Sequence, residues 1–105
     1  MFYKWKYDKV IATVLLNAGF PRNEFSRYWS VELTNAYCDQ LKPLGSSPNM
    51  AAYISMAKHF AKSEGYTADV RNKVFDAIIT VCMHDKDIDS AQVIRTILQH
   101  RPSGE

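Results

Sequence analysis

The chain has 105 residues, of which 47% are hydrophobic and 23% are charged, and this balance excludes a disordered polypeptide. Thirteen Lys and Arg against eleven Asp and Glu leave a formal net charge of +2, which neither implies nor excludes a nucleic-acid or acidic partner. Four glycines and four prolines are too few for a turn-dense β-sandwich or barrel. We therefore expect one all-α domain over residues 1–105, long enough to bury a core.

The cysteines and the apolar runs indicate where the protein resides. Cys38 and Cys82 are far apart in the sequence and neither has a CxxC partner, so we expect free thiols in a cytoplasmic protein, with a single disulfide as the alternative. The apolar run over residues 10–16 is too short to span a membrane, and no small-residue cleavage site follows it. We expect no membrane association.

The first predicted helix covers residues 3–18 and ends at Gly19, a residue suited to a left-handed C-terminal cap. Its start alternates aromatic and lysine residues, a pattern that also fits a short extended arm. The apolar positions of the later turns follow helical spacing: Tyr7, Val10, Ile11, Val14, Leu15 and Ala18.

The middle of the chain predicts two further helices. Asn23 is placed to cap a short helix over residues 24–29, and Ser30 to cap a helix over 31–42 that Pro43 brings to an end.

The next predicted helix begins at Pro48, because a serine cap followed by proline at the first helical position is a strong start signal. Its apolar residues recur at helical spacing as far as Glu64, and Gly65 ends it.

Residues 67–84 predict the central helix of the fold. Asn72, Asp76 and Thr80 stand four apart and would form one thin polar seam, with Thr67 as the N-cap. A helix that is apolar over most of its circumference is a buried one. We therefore expect other helices to pack around this segment, which is otherwise covered by Val70, Val74, Phe75, Ile78, Ile79, Val81 and Cys82.

The last predicted helix covers residues 90–100, with Asp89 as its cap, and residues 100–105 form a frayed tail. The predicted fold is a compact bundle of five main helices and one short helix around the helix at 67–84.

Asp85, Asp87 and Asp89 are the strongest chemical cluster in the sequence. Alternate carboxylates open calcium-binding loops, but here Ser90 stands where the loop needs glycine and Thr96 where it needs a bidentate glutamate. We expect these residues to stabilise the start of the last helix rather than to bind metal. His59, His84 and His100 lack ligand spacing, and no catalytic motif is present, so we expect no enzyme activity, no metal and no cofactor.

Nucleic-acid binding is the alternative function that the sequence raises. The aromatic and lysine residues near the N-terminus have the chemistry that binds single strands, and residues 57–74 resemble a degenerate helix-turn-helix. The second helix of that motif would have to expose polar residues while its apolar remainder stays in the core. The residues assigned to this alternative are Lys4, Lys6, Thr67, Arg71, Asn72 and Lys73.

Residues 20–29 are the candidate partner-binding segment, because four aromatic residues and two arginines fall within ten positions. Trp, Tyr and Arg carry much of the binding energy at protein interfaces. Two other interpretations stay open: the aromatics close one end of the bundle as a lid, or they form a homodimer interface. The candidate partner-binding residues are Arg22, Phe25, Arg27, Tyr28, Trp29 and Trp5.

The combination of a compact scaffold, an arginine–aromatic segment and no catalytic motif favours a protein that binds another protein. Occlusion by a preformed helical face is the expected mechanism, as in an adaptor, a regulatory subunit, or an inhibitor of the immunity or anti-defence type.

Overall fold

The computed structural model describes residues 9–42, 47–62 and 64–101, and within these ranges it contains helices and turns but no strand. The elements are α1 (Lys9–Asn17), a 3-10 turn (Arg22–Glu24), α2 (Phe25–Tyr28), α3 (Val31–Leu41), α4 (Pro48–Phe60), α5 (Ala68–Met83) and α6 (Ser90–His100). This confirms the all-α class with five longer helices and one short helix. The predicted helix start at residues 3–8 and the tail beyond residue 101 lie outside the described residues.

Side chains cap the N-termini of α3, α4, α5 and α6, as the sequence predicts. In each case an oxygen of the cap residue accepts a hydrogen bond from the backbone N–H three residues later, which satisfies a donor that the helix itself cannot. The four bonds are Leu33 to Ser30 at 3.1 Å, Met50 to Ser47 at 3.0 Å, Val70 to Thr67 at 3.2 Å and Gln92 to Asp89 at 3.3 Å.

Two local predictions are wrong. Asn23 does not cap the short helix, because the chain already turns in 3-10 geometry there and Glu24 stands at the N-cap of α2 without a side-chain bond. The helix that begins at Pro48 ends at Phe60 rather than at residue 64. Gly65, with a φ of +87°, belongs to a separate turn that follows.

A turn at the end of α1 changes the direction of the chain and leads into the candidate segment, residues 20–29. Gly19 has a φ of +95°, a conformation that costs glycine little. Its N–H donates to the carbonyl of Leu16 at 3.0 Å, and the N–H of Phe20 donates to the carbonyl of Leu15 at 3.1 Å. This pair of bonds is the Schellman arrangement, and it fixes the direction in which residues 20–29 leave the helix.

The centre of the bundle is α4 rather than the helix over residues 67–84. α4 packs against α1, α3, α5 and α6. Small side chains allow this, because they let the backbones of neighbouring helices approach closely. The buried residues of α4 are Ala51, Ala52, Tyr53, Ser55, Met56, Ala57, His59 and Phe60.

α5 belongs to the core, as predicted, but through one face. Val74, Phe75 and Ile78 are fully buried, whereas Ile79 is half-buried and Met83 is exposed. The prediction of burial around most of the circumference is therefore too strong.

Within the described residues, none of the helices combines the length and the apolar composition needed to cross a bilayer.

Candidate functional site

The segment over residues 20–29 separates its aromatic residues from its arginines. Phe25, Tyr28 and Trp29 are buried in the core, whereas Arg22 and Arg27 are exposed. Positions i, i+3 and i+4 of a helical turn share one face, and here that face turns inward. These three aromatics therefore belong to the core, as the lid interpretation predicts, and the arginines are the exposed residues among the described members of the candidate set.

Trp29 is held by a hydrogen bond as well as by packing. Its Nε1 donates to Oγ1 of Thr34 at 2.8 Å, and this hydroxyl in turn donates to the backbone carbonyl of Ser30 at 3.1 Å. The indole, which is 5% exposed, thus has a partner for its polar atom inside the protein. This bond fixes the end of α2 against the first turn of α3.

An aromatic chain joins the segment to the far end of α4. Phe20 stacks on Tyr28 with ring centroids 4.4 Å apart. The ring centroids of Tyr28 and Phe60 are 6.5 Å apart. Phe60 in turn packs against Tyr66, with ring centroids 4.6 Å apart. We use the name aromatic chain for these four residues, whose contacts tie residues 20–29 to the loop before α5.

His59 forms polar contacts with Tyr66, a member of the aromatic chain, and with Ser30. Its Nε2 lies 2.6 Å from the hydroxyl of Tyr66 and 3.4 Å from Oγ of Ser30. Burial lowers the pKa of His59 and nearby Lys62 lowers it further, against the opposing effect of Glu32. The neutral ring is therefore favoured, and its Nε2 shares a hydrogen bond with the Tyr66 hydroxyl.

We use the name arginine face for five exposed residues of this segment and of the start of α3: Arg22, Asn23, Ser26, Arg27 and Val31. Val31, the first residue of α3, is 72% exposed, the largest value among the exposed large hydrophobic residues described. Within the described part of the chain, neither arginine forms an ion pair. The cations that do are Lys42 with Asp39, Lys73 with Asp69 and Arg101 with Asp76.

The four described residues of the nucleic-acid alternative are not all available on the surface. Thr67 caps α5, Arg71 is 8% exposed, Asn72 is half-buried and Lys73 pairs with Asp69 at 3.2 Å. Seven residues, 61–67, separate α4 from α5, whereas a helix-turn-helix uses a turn of three or four. Lys4 and Lys6, like Trp5 of the partner-binding set, lie outside the described residues.

The three clustered carboxylates have different roles. Asp85 joins the loop to α4, because its Oδ2 accepts from Tyr53 at 2.8 Å and from Asn49 at 2.9 Å, while Oδ1 accepts from the N–H of Asp87 at 2.9 Å. Burial alone would raise the pKa of Asp85, but these three bonds outweigh it and hold the pKa below the usual range. Asp89 caps α6. Among the residues described, no three His, Cys, Asp or Glu side chains are grouped to hold a metal ion.

The two cysteines are free thiols. Cys82 is fully buried in α5, and burial, with a contribution from Asp85, raises its pKa to about 11. A thiol in this state is a poor nucleophile at neutral pH. Cys38 is half-buried in α3.

The bonds to Asp85 join side chains that are 32 and 36 positions apart, so no local pattern indicated them. His59 and Tyr66 are seven positions apart, but a turn lies between them and no helical spacing relates them. Asn49 and Tyr53 stand four apart on α4, which puts them on one face, but nothing in the sequence places Asp85 opposite that face.

Comparison with protein-family models, with curated proteins and with solved structures gives no match to this chain. We therefore infer function from the chain's own surfaces.

Proposed function

We propose that this protein binds an acidic surface of another protein through the arginine face. The observation that carries the proposal is the exposure of Arg22 and Arg27 on a segment whose aromatic side chains are buried. Such a segment is held in place before a partner arrives, so binding orders less of the chain and loses less entropy.

The chemistry of the arginine face selects the partner. A guanidinium group binds carboxylates through two parallel hydrogen bonds, and it desolvates more readily than the ammonium group of lysine. Val31 adds an exposed apolar contact beside these charges, as in an interface where apolar contact is surrounded by polar groups. The buried aromatics contribute by positioning the arginines and not by touching the partner.

The mechanism that fits this surface is occlusion: a preformed cationic face covers an acidic site on its partner. An adaptor, a regulatory subunit or an inhibitor of the immunity or anti-defence type would act in this way, without a catalytic group or a cofactor of its own. The two free thiols support the cytoplasm as the proposed location.

The experiment is affinity capture from the native cell with a charge-reversed bait. The double variant R22E/R27E should lose the partner that the unchanged protein recovers, because it opposes like charges across the interface. The matched control is K86E/R95E, which reverses two exposed cations in the loop before α6 and in α6 itself. The control should keep the partner, and both variants should unfold at the temperature of the unchanged protein. Equal recovery by the two variants would contradict the proposal.

Binding to nucleic acid is the alternative function, and a separate measurement tests it. It would appear as a fluorescence anisotropy increase with a random-sequence duplex or single strand at low salt, falling steeply as salt rises. Lys4, Lys6 and Lys73 would then be the cations to replace. No anisotropy change with either probe would remove this alternative.

A further inference from the structure

A cleft of about 650 Å³ lies between α1, the start of α4 and the end of α5, away from the residues of the arginine face. This volume is in the range of small-molecule sites, roughly 300–1,000 Å³. α1 contributes positions 9, 10, 13 and 17, α5 contributes positions 80 and 81, and His84 follows directly after α5. Since residues four apart share a helix face, faces of two helices meet across this cleft.

Some of the hydrogen-bond donors on the side chains that line the cleft are already engaged within the protein. The hydroxyl of Thr13 donates to the carbonyl of Lys9 at 2.7 Å. Nδ1 of His84 lies 2.9 Å from the carbonyl of Thr80, which can only accept, so Nδ1 carries the proton. In the neutral ring, Nε2 of His84 is then an acceptor.

α4 forms another wall of the cleft, and two of its side chains also donate hydrogen bonds within the protein. The Tyr53 hydroxyl and the Asn49 amide nitrogen both donate to Asp85, which leaves the Asn49 carbonyl oxygen as an acceptor. The three bonds to Asp85 favour its charged form, and the carboxylate of Asp87, also in the lining, is exposed. The charged groups that line the cleft are therefore two carboxylates, Asp85 and Asp87, and one ammonium group, Lys9.

We propose that this cleft binds a small organic cation with several N–H donors, a primary ammonium or a guanidinium compound. Such a ligand matches the excess of negative charge in the lining and pairs with Asp85 and Asp87 by charge-assisted hydrogen bonds. An anionic ligand would meet two carboxylates, with Lys9 as the permanent cation of the lining. The site is separate from the proposed protein-binding surface, so each proposal can fail without the other.

The test is a titration of the full-length ¹⁵N-labelled protein, followed by amide chemical shifts. Butylammonium and ethylguanidinium chloride are the probes. Tetramethylammonium chloride carries the same charge without an N–H donor, and sodium chloride controls for ionic strength. We expect saturable shifts at the amides of Thr80, His84 and Asp87 with at least one probe and neither control. No saturable shift with either probe, or equal shifts with tetramethylammonium, would overturn the proposal.

A pair of variants assigns the binding to this cleft. D87N removes one lining carboxylate and should weaken binding of the better probe roughly tenfold, the effect of losing a charge-assisted hydrogen bond. D69N removes an exposed carboxylate at the opposite end of α5 and should leave the affinity unchanged. Both proteins should retain the amide spectrum of the folded chain away from the substitution. Equal affinities for D87N and D69N would contradict the assignment.

Discussion

Nε2 of His59 lies 2.6 Å from the hydroxyl of Tyr66, and this contact joins the last turn of α4 to the loop that leads into α5. The rings meet edge to face with centroids 5.4 Å apart. Because the pKa of His59 is lowered from its ordinary value of 6.5, chiefly by burial, the folded state favours the neutral ring. Protonation of this ring therefore opposes folding.

The first prediction is a loss of stability in mild acid. A histidine with a lowered folded-state pKa binds fewer protons in the folded than in the unfolded protein, so stability rises with pH in this window. The contribution of His59 is complete above about pH 6.5 and is lost as the pH falls through its folded-state pKa. Urea unfolding at a series of pH values between 7.5 and 5 should show this decline.

Two variants attribute that decline to His59. H59Q cannot titrate, so its free energy of unfolding should decline less over the same range, although it will start lower at pH 7.5. H84Q removes an exposed histidine and should keep the full decline. An H59Q protein with an undiminished decline would show that another group is responsible.

The second prediction concerns Trp29, which the structure places in the core. W29A should lower the free energy of unfolding by about 3–5 kcal/mol, the usual cost of truncating a buried tryptophan. T34V should cost about 1–3 kcal/mol, because the indole Nε1 would lose its acceptor while remaining buried. Denaturant unfolding at neutral pH measures both.

R27A is the matched control for Trp29, since Arg27 lies two residues away on the same segment but is exposed. Its stability should stay within about 0.5 kcal/mol of the unchanged protein. A W29A protein as stable as R27A would place the indole at the surface and return it to the set of partner-binding residues.

The third prediction concerns the tie through Asp85. D85A leaves the buried hydroxyl of Tyr53 without this acceptor and should cost about 1–3 kcal/mol. D87A, which removes an exposed carboxylate from the same loop, should stay within about 0.5 kcal/mol. Urea unfolding at pH 7 measures the free energy of unfolding of both variants. Equal losses of stability would show that the hydrogen bonds to Asp85 do not stabilise the fold.

Asp85 also predicts a second decline in stability, at lower pH. Its folded-state pKa is below the ordinary 3.8, so the unfolded chain binds the proton more readily. The contribution of Asp85 is present above pH 3.8 and is lost as the pH falls through the folded-state value. D85N, which cannot ionise, should show a smaller decline than the unchanged protein when both are followed from pH 5 to pH 2.

The fourth prediction is that the two cysteines differ in reactivity. Cys82 is fully buried with a pKa raised to about 11, so iodoacetamide should not modify it in the folded protein at pH 7.5. Cys38 is half-buried and should react first. Mass spectrometry after timed labelling, with and without denaturant, measures this order. Modification of Cys82 at the rate of Cys38 in the folded state would contradict the burial described.

The helix boundaries were largely readable from the sequence because capping is local. Ser30, Ser47, Thr67 and Asp89 each bond to an N–H three residues later, so the residues that make the cap are visible together. The cap predicted at Asn23 failed because a 3-10 turn had already begun before it.

The sequence by itself determined that the protein is helical and where its longer helices begin, because periodicity and capping act within a few residues. The tertiary structure alone decided that α4 is the central helix, since small residues such as Ala52 and Ser55 carry little hydrophobic signal yet allow close helix packing. It alone also decided that Trp29 faces inward and Arg27 outward, and that Asp85 meets Tyr53. Those relationships depend on contacts between residues far apart in the chain, which no local pattern records.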